Sequence, residues 1–380
     1  MHSITSLEGE APAEPNNTLD MTSRDRVIAA VEHRGVDRIP VMITYLEEEM
    51  IRAARVRDAN ELRDRHRCDI RFVRFEALPR HGEVDRYLTA LRTDAFVGDA
   101  WQLKTYADWS YAPPTADDPA GGNPLAGAQC AADIDAFTIP DTQIAGALED
   151  VRRQVEAFQA RDLATAGFPP NLGGELFETC QRLRGFERFC EDLIHRPDIA
   201  EYLLDRLTEV HIECAAIIAH SGSDILCLDD DMAHPTGLLI SPGMYRRYFK
   251  PRMARIIEAA RAVSPSIKVF YHSDGDISAI LDDLVEIGID VIEPVEPDCM
   301  DPLAIRKRYG TRLAFWGTVG SAAMWAYGTV RDVWDEVKLR IGTLGPTGLI
   351  LAPAYDFTRD FGVDKLKAFF AAAKEYGRVS

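Results

Sequence analysis

The stretch VFYHSDGDI, Val269 to Ile277, runs three β-forming residues into a histidine, two aspartates and a glycine. An imidazole beside carboxylates can hold a divalent metal or move a proton, and it can equally be the capped end of a strand. The same pattern of an apolar run ending in polar side chains recurs along the chain. RIPVMITY ends in Tyr45, CDIRFVRFE in Glu76, and SDILCLDD in Asp229 and Asp230. DVIEPVEP carries Glu293 and Glu296, and GLILAPAYDF carries Asp356. Gathered on one rim, several carboxylates and one imidazole would either bind a divalent cation or shift one another's pKa strongly.

Each residue also has a structural reading. Asp274 or Asp276 can cap the helix begun by ISAILDDLVEIG, and the cap is the favoured role for Asp276. His234, in MAHPTG, precedes a proline in a loop. Cys299, in EPDCMD, is the one cysteine placed on the same rim, where it is a soft metal ligand or a half-buried structural thiol. NLGGELFE, beginning at Asn171, offers small residues and a helix N-terminus that suit an anionic substrate group or close packing.

The elements that must position these residues alternate regularly. Eight short apolar runs are separated by helical stretches, the signature of a parallel sheet covered on both faces. We read an α/β fold, a (β/α)8 TIM barrel, with a hairpin-containing insertion after the second strand at about residues 77–142. Residues 1–20 read as a disordered leader and 21–380 as one barrel domain. Thr22 or Ser23 caps the first helix, and one helical stretch is expected from about Gly174 to Arg196. A doubly wound sheet is the structural competitor, but no G-x-G-x-x-G or Walker-type loop follows any strand. In a barrel the working face lies at the C-terminal ends of the strands, where the polar residues fall.

Composition narrows the partners. A formal net charge of −18 disfavours nucleic acid and anionic membrane surfaces. No run of apolar residues is long enough to span a bilayer. The N-terminus lacks the basic start and apolar segment of a signal peptide. Seven scattered cysteines without a C-x-x-C pair fit a reducing cytoplasm.

RDRVIAAVEHRGVDRIPV, LRGFERFCEDLIHRPDIAEYLLDRLTE, SGSDILCLDDDMA, SPGMYRRYFKPRMARII, YHSDGDISAILDDLVEIGIDVIEPVEP and the closing GLILAP…GVDKLKAFFAAAKEYG occur in this order over roughly Met21 to Gly377. Together they resemble the uroporphyrinogen decarboxylase superfamily of (β/α)8 barrels. The decarboxylase branch carries an early Arg-Gln-Ala-Gly-Arg-Tyr motif, whereas TYLEEEMIRAAR follows the first strand here. The other branch comprises corrinoid-linked methyltransferases with a zinc site of His-x-Cys plus a later cysteine. By that resemblance His272 falls on the histidine, Asp274 on the first cysteine and Asp356 near the second.

The resemblance therefore implies a methyltransferase moving a methyl group between a small, methoxylated substrate and a corrinoid protein. The alternatives are a cofactor-independent decarboxylase and a non-catalytic binding barrel. The implied metal is Zn²⁺, on His272, Asp274 and either Glu296 or Asp356. Catalytic roles fall to Asp229, Asp230 and His272, and substrate contacts to Tyr45, Glu76, Asn171 and Glu293. The partners expected are the small-molecule substrate, a separate corrinoid protein and a second copy of the chain in a homodimer.

Overall fold

Short β-rich runs buried on both faces can satisfy their backbone only by pairing with one another, which builds a parallel sheet between helices. The computed structural model describes residues 21–75, 96–97, 100–101, 123, 125–137, 146–169 and 174–379. Seven parallel strands form one curled sheet in chain order: β1 (Ile70–Arg74), β2 (Ala164–Phe168), β3 (Ile225–Asp229), β4 (Lys268–His272), β5 (Val291–Glu293), β6 (Ala314–Trp316) and β7 (Leu349–Ile350). Helices such as Ala147–Gln159, Pro197–His220, Lys250–Val263 and Val330–Leu344 connect them.

The expected first strand, Arg38 to Tyr45, closes the barrel without becoming a regular strand. The Leu351 amide donates to the Pro40 carbonyl at 2.9 Å, and the Met42 amide to Leu351 at 3.0 Å. On the other side the Asp69 amide donates to the Val41 carbonyl at 3.0 Å. Between Val41 and the parallel bridge of Leu46 to Phe357 the ladder is interrupted, and there a side chain takes the carbonyls. Arg63, fully buried, donates to Ile43 at 3.1 Å and to Thr44 at 2.8 Å, with its guanidinium 5.0 Å from the Phe72 ring centre. The segment is thus an eighth stave whose hydrogen bonds come partly from an arginine.

Inside the barrel four aromatic rings interlock. Phe72 meets Phe168 at 5.1 Å and Trp316 at 6.2 Å, while Phe270 meets Trp316 at 5.0 Å and Phe168 at 6.2 Å between ring centres. This layer fills the interior and supports the polar strand ends.

Thr22 caps the first helix, its hydroxyl accepting the Asp25 amide at 3.0 Å. The expected single helix over 174–196 is instead two, Phe177–Arg184 and Phe186–His195, broken at Gly185. Gly185 has φ of 85°, a conformation that removes it from any helix. Within the expected insertion, Phe96–Val97 pairs antiparallel with Ala100–Trp101, a small hairpin. The leader, and the candidate residues Glu76 and Asn171, lie outside the described residues. Among the described residues no helix is long and apolar enough to cross a membrane.

Candidate active site

Parallel register puts three polar strand ends side by side. Asp229 pairs with His272 across β3 and β4, and His272 pairs with Glu293 across β4 and β5. Because alternate residues share a face, all three side chains emerge on the same side of the sheet. His272 Nδ1 lies 2.6 Å from Glu293 Oε2, so the ring donates its Nδ1–H to that carboxylate. Glu293 is itself held, accepting from the Thr44 hydroxyl, which in turn accepts the Trp316 indole N–H at 2.7 Å. The interior aromatic layer therefore sets the orientation of the imidazole through two intervening groups.

With Nδ1 engaged, Nε2 is the free ring nitrogen, and it faces acids. It lies 3.7 Å from Asp231, 3.7 Å from Asp274 and 4.0 Å from Asp229. Nε2 and one oxygen each of Asp229 and Asp231 all fall within 4.8 Å of one another. Among the described residues His272 is the one cation within 4.0 Å of these three aspartates. An imidazole tied at one nitrogen to a carboxylate and open at the other is the arrangement that orients a metal ligand.

The protonation chemistry follows from burial and crowding. Burial alone would lower the His272 pKa, but Asp229, Glu293 and Asp274 outweigh it and hold it well above the usual value. Burial raises Asp229 to about 6, with His272 opposing the shift and Asp231 and Glu293 adding to it. Asp274 is pushed well above the normal carboxylate range by burial and by Asp231. Asp356 rises to about 7, mainly by burial, with His272 opposing and Glu293 reinforcing. Tyr45, raised by burial and by Glu293, keeps its phenol proton. Tyr45, His272, Asp274, Glu293 and Asp356 line one cavity of about 260 Å³.

Two acids from the segment before the helix Phe177–Arg184 and from its first turn hold the backbone of this cluster. Glu175 accepts the Asp229 amide, and Glu178 accepts the Asp231 amide at 3.1 Å. Both carboxyls are pushed well up by burial.

The structure separates residues that looked equivalent in the sequence. Asp230, expected as a catalytic acid, points the other way and accepts the Phe177 and Glu178 amides at 3.0 and 3.1 Å. It caps a helix. Asp231, not singled out, stands in its place. The signal was available: residues 229 and 231 share a face of an extended chain, and 230 does not. Glu296, expected as a ligand, accepts the Gly275 amide at 2.5 Å and bonds the Cys299 thiol. Cys299, half-buried and raised to about 12 by burial and Glu296, stays outside the acid cluster as a protonated thiol. Glu293, expected at the substrate, lines the cavity and also grips the imidazole.

Asp276 accepts the Ser278 amide at 2.9 Å, as a turn-capping residue does. His234 is exposed and bonds within its own loop to Thr236 at 3.1 Å. Gly275, at φ 84°, passes so close to that loop that an added Cβ would sit 2.7 Å from the His234 carbonyl. A glycine there is what lets Asp274 stand beside His272.

Comparison with known proteins agrees with this architecture. The family described as uroporphyrinogen decarboxylase (URO-D) matches residues 128–376. A methylcobamide:CoM methyltransferase, MtaA, from Methanosarcina barkeri is 26% identical over 184 residues, 48% of this chain and 51% of the relative. A uroporphyrinogen decarboxylase from Thermus thermophilus is 28% identical over 159 residues, 40% of this chain and 43% of the relative. The matched parts thus span about half the length of these curated relatives. A solved structure of a methyltransferase from Methanosarcina mazei has a TM-score of 0.63 at 19% identity, covering 94% of this chain and 99% of its own. That likeness shows the fold.

Proposed function

Because the chain belongs to the uroporphyrinogen decarboxylase family, with a methyltransferase among its relatives, we propose that it is a corrinoid-dependent methyltransferase with a hard metal site. The observation that carries this reading is the His272 ring, anchored at Nδ1 by Glu293 and open at Nε2 toward Asp229, Asp231 and Asp274. The ligand atoms are spaced slightly wider than the ~3.4 Å between ligands of a tetrahedral site with ~2.1 Å bonds. One nitrogen and carboxylate oxygens suit Zn²⁺ as a harder centre than thiolates make. When bound, Zn²⁺ supplies Lewis acidity, and a corrinoid on a separate protein supplies the cobalt that exchanges the methyl group.

The residues of the chain do the rest. Glu293 fixes the imidazole tautomer, and Glu175 and Glu178 hold the backbone of the aspartates. A centre with nitrogen and oxygen ligands suits an oxygen-bearing substrate, an ether or alcohol, better than a thiol. Asp356, with a pKa of about 7, can give or take a proton at the departing oxygen. The Tyr45 phenol, which keeps its proton, can donate a hydrogen bond to the substrate. The cysteines, all unpaired, suit a reducing cytoplasm.

Metal analysis of the purified protein, paired with an assay using methylcobalamin as the methyl carrier, tests the proposal. The expected result is about one divalent ion per chain, lost together with methyl transfer in Asp231→Asn. A metal-free protein that decarboxylates a tetrapyrrole acid, unaffected by His272→Ala, would overturn it and favour the decarboxylase reading that the Thermus relative suggests.

A further inference from the structure

On the face of the barrel opposite the His272 cavity, the helices Ala59–Arg65 and Val363–Tyr376 border a concavity of about 510 Å³. Among the described residues its lining contains Arg38, Arg65, Arg67, Lys367, Lys374 and Arg378, and no aspartate or glutamate. In a chain of net charge −18 this is a local reversal of sign.

Part of that charge has a structural cause. Arg38 binds Asp69 at 2.6 and 2.8 Å, Arg65 pairs with Glu61 at 3.2 Å, and Lys367 lies 3.7 Å from Asp364. Lys374 occupies a last helical turn, where cations complement the helix dipole. Arg67 and Arg378 have no such account. Both are exposed and outside helices, and among the described residues neither has an acidic partner. Arg67 moreover occupies a left-handed position, φ 56°, in the turn ending the helix Ala59–Arg65, a place glycine usually takes. The guanidinium contributes nothing to that turn.

The floor is apolar, with Val41, Phe370 and Ala373, and the His66 ring stacks on Phe370 at 4.0 Å and 7°. Burial, with Arg65 and Lys367 nearby, lowers the His66 pKa, so this ring is a neutral platform. The volume is that of a small-molecule pocket, roughly 300–1,000 Å³, so it favours a compact ligand over the surface of an acidic protein.

We propose that this groove binds a small organic phosphate, with Arg67, Lys374 and Arg378 on the phosphate groups and an apolar or aromatic body against Phe370 and His66. The site is independent of the metal-binding reading of the opposite face. Calorimetric titration of the full chain with ADP, pyrophosphate, inorganic phosphate and polyglutamate at low salt tests it. ADP is expected to bind most tightly and to weaken as salt rises. The double variant Arg67→Gly, Arg378→Ala suits the left-handed turn and should keep the wild-type unfolding midpoint and metal content while losing about tenfold or more in ADP affinity. Absence of ADP binding, or equal binding by the double variant, would overturn the proposal. Inorganic phosphate binding as tightly as ADP would overturn the organic body. Tighter binding of polyglutamate than of ADP would overturn it in favour of an acidic protein partner.

Discussion

Two clusters of acid, one fully buried and one only partly buried, sit at opposite ends of this barrel, and they are neutralised in opposite ways. At the N-terminal end Asp69, fully buried, accepts from Ser23 at 2.7 Å, Arg26 at 2.7 Å, Arg38 at 2.6 and 2.8 Å, and the Val41 amide at 2.8 Å. Arg26 also pairs with Asp37 at 2.6 and 2.7 Å, so two guanidiniums balance two carboxylates, and they tie the first helix to the first barrel segment. At the C-terminal end Asp229, Asp231 and Asp274 share one imidazole, which is already bonded to Glu293. One end is a completed ion cluster. The other, among the described residues, has one imidazole for several carboxylates, and under the proposed function a divalent cation would supply the balancing charge.

The contrast breaks most sharply at Asp69. Asp69→Ala leaves Arg26 buried with one carboxylate fewer, and removing one partner of a buried pair costs about 3–5 kcal/mol. Urea unfolding should show that loss, with no change in metal affinity per folded molecule. A loss near zero would mean the cluster is not what fixes this end. At the other end the largest effect falls on binding. Glu293→Gln removes the charge that orients His272, and such outer partners are typically worth about 10–100-fold in metal affinity. Competition with a chelating dye measures it, and unchanged affinity would separate Glu293 from the site.

The two ends were not equally legible in the sequence. The apolar runs and the helices between them announce the barrel, and the polar residue at the end of each run announces its working face. His272 was found because its strand ends there. What stayed hidden depends on direction, which composition does not carry. Asp229, Asp230 and Asp231 read alike until the pleat sends the middle one to the helix beginning at Phe177. The first strand has the middle of its ladder replaced by Arg63, a partner about twenty residues away that no local pattern reveals. The Asp69 cluster was missed because an aspartate before a strand reads as turn chemistry. Its arginine partners come from two other segments.

Titration sharpens the comparison at smaller amplitude. Asp229, Asp230 and Asp356 have folded pKa values of about 6, 7 and 7, above the ~3.9 of an unfolded aspartate. The folded state therefore binds more protons than the unfolded state between those limits, and stability falls as pH rises through them. His272, also raised, contributes stability below about 6.5 that is lost as pH passes its folded value. Metal-free protein should thus lose stability between pH 5 and 7.5 by about 1 kcal/mol per pH unit for each proton concerned. Metal affinity should rise over the same range, because the ligands must shed those protons. A metal-free melting temperature that climbs through this window would contradict the assignment of charge deficit to the C-terminal end.

The smallest effect is the most diagnostic. If the C-terminal cluster is under-neutralised, taking away one of its charges should help the metal-free fold. Asp231→Asn keeps the side-chain shape and removes a repulsion that acts on Asp229 and Asp274. The expected gain is about 1 kcal/mol in the metal-free protein, the size common when a functional charge cluster is relieved. Saturating metal should reverse the order, because wild type then gains binding energy that the variant lacks. A structural ion cluster such as that of Asp69 can give no such crossover, since neutralising any member weakens it under all conditions. Paired denaturation curves of the wild type and the variant, with chelator and with zinc, therefore distinguish a site awaiting a cation from one already complete. Parallel curves in both conditions would place the aspartates in the structural class.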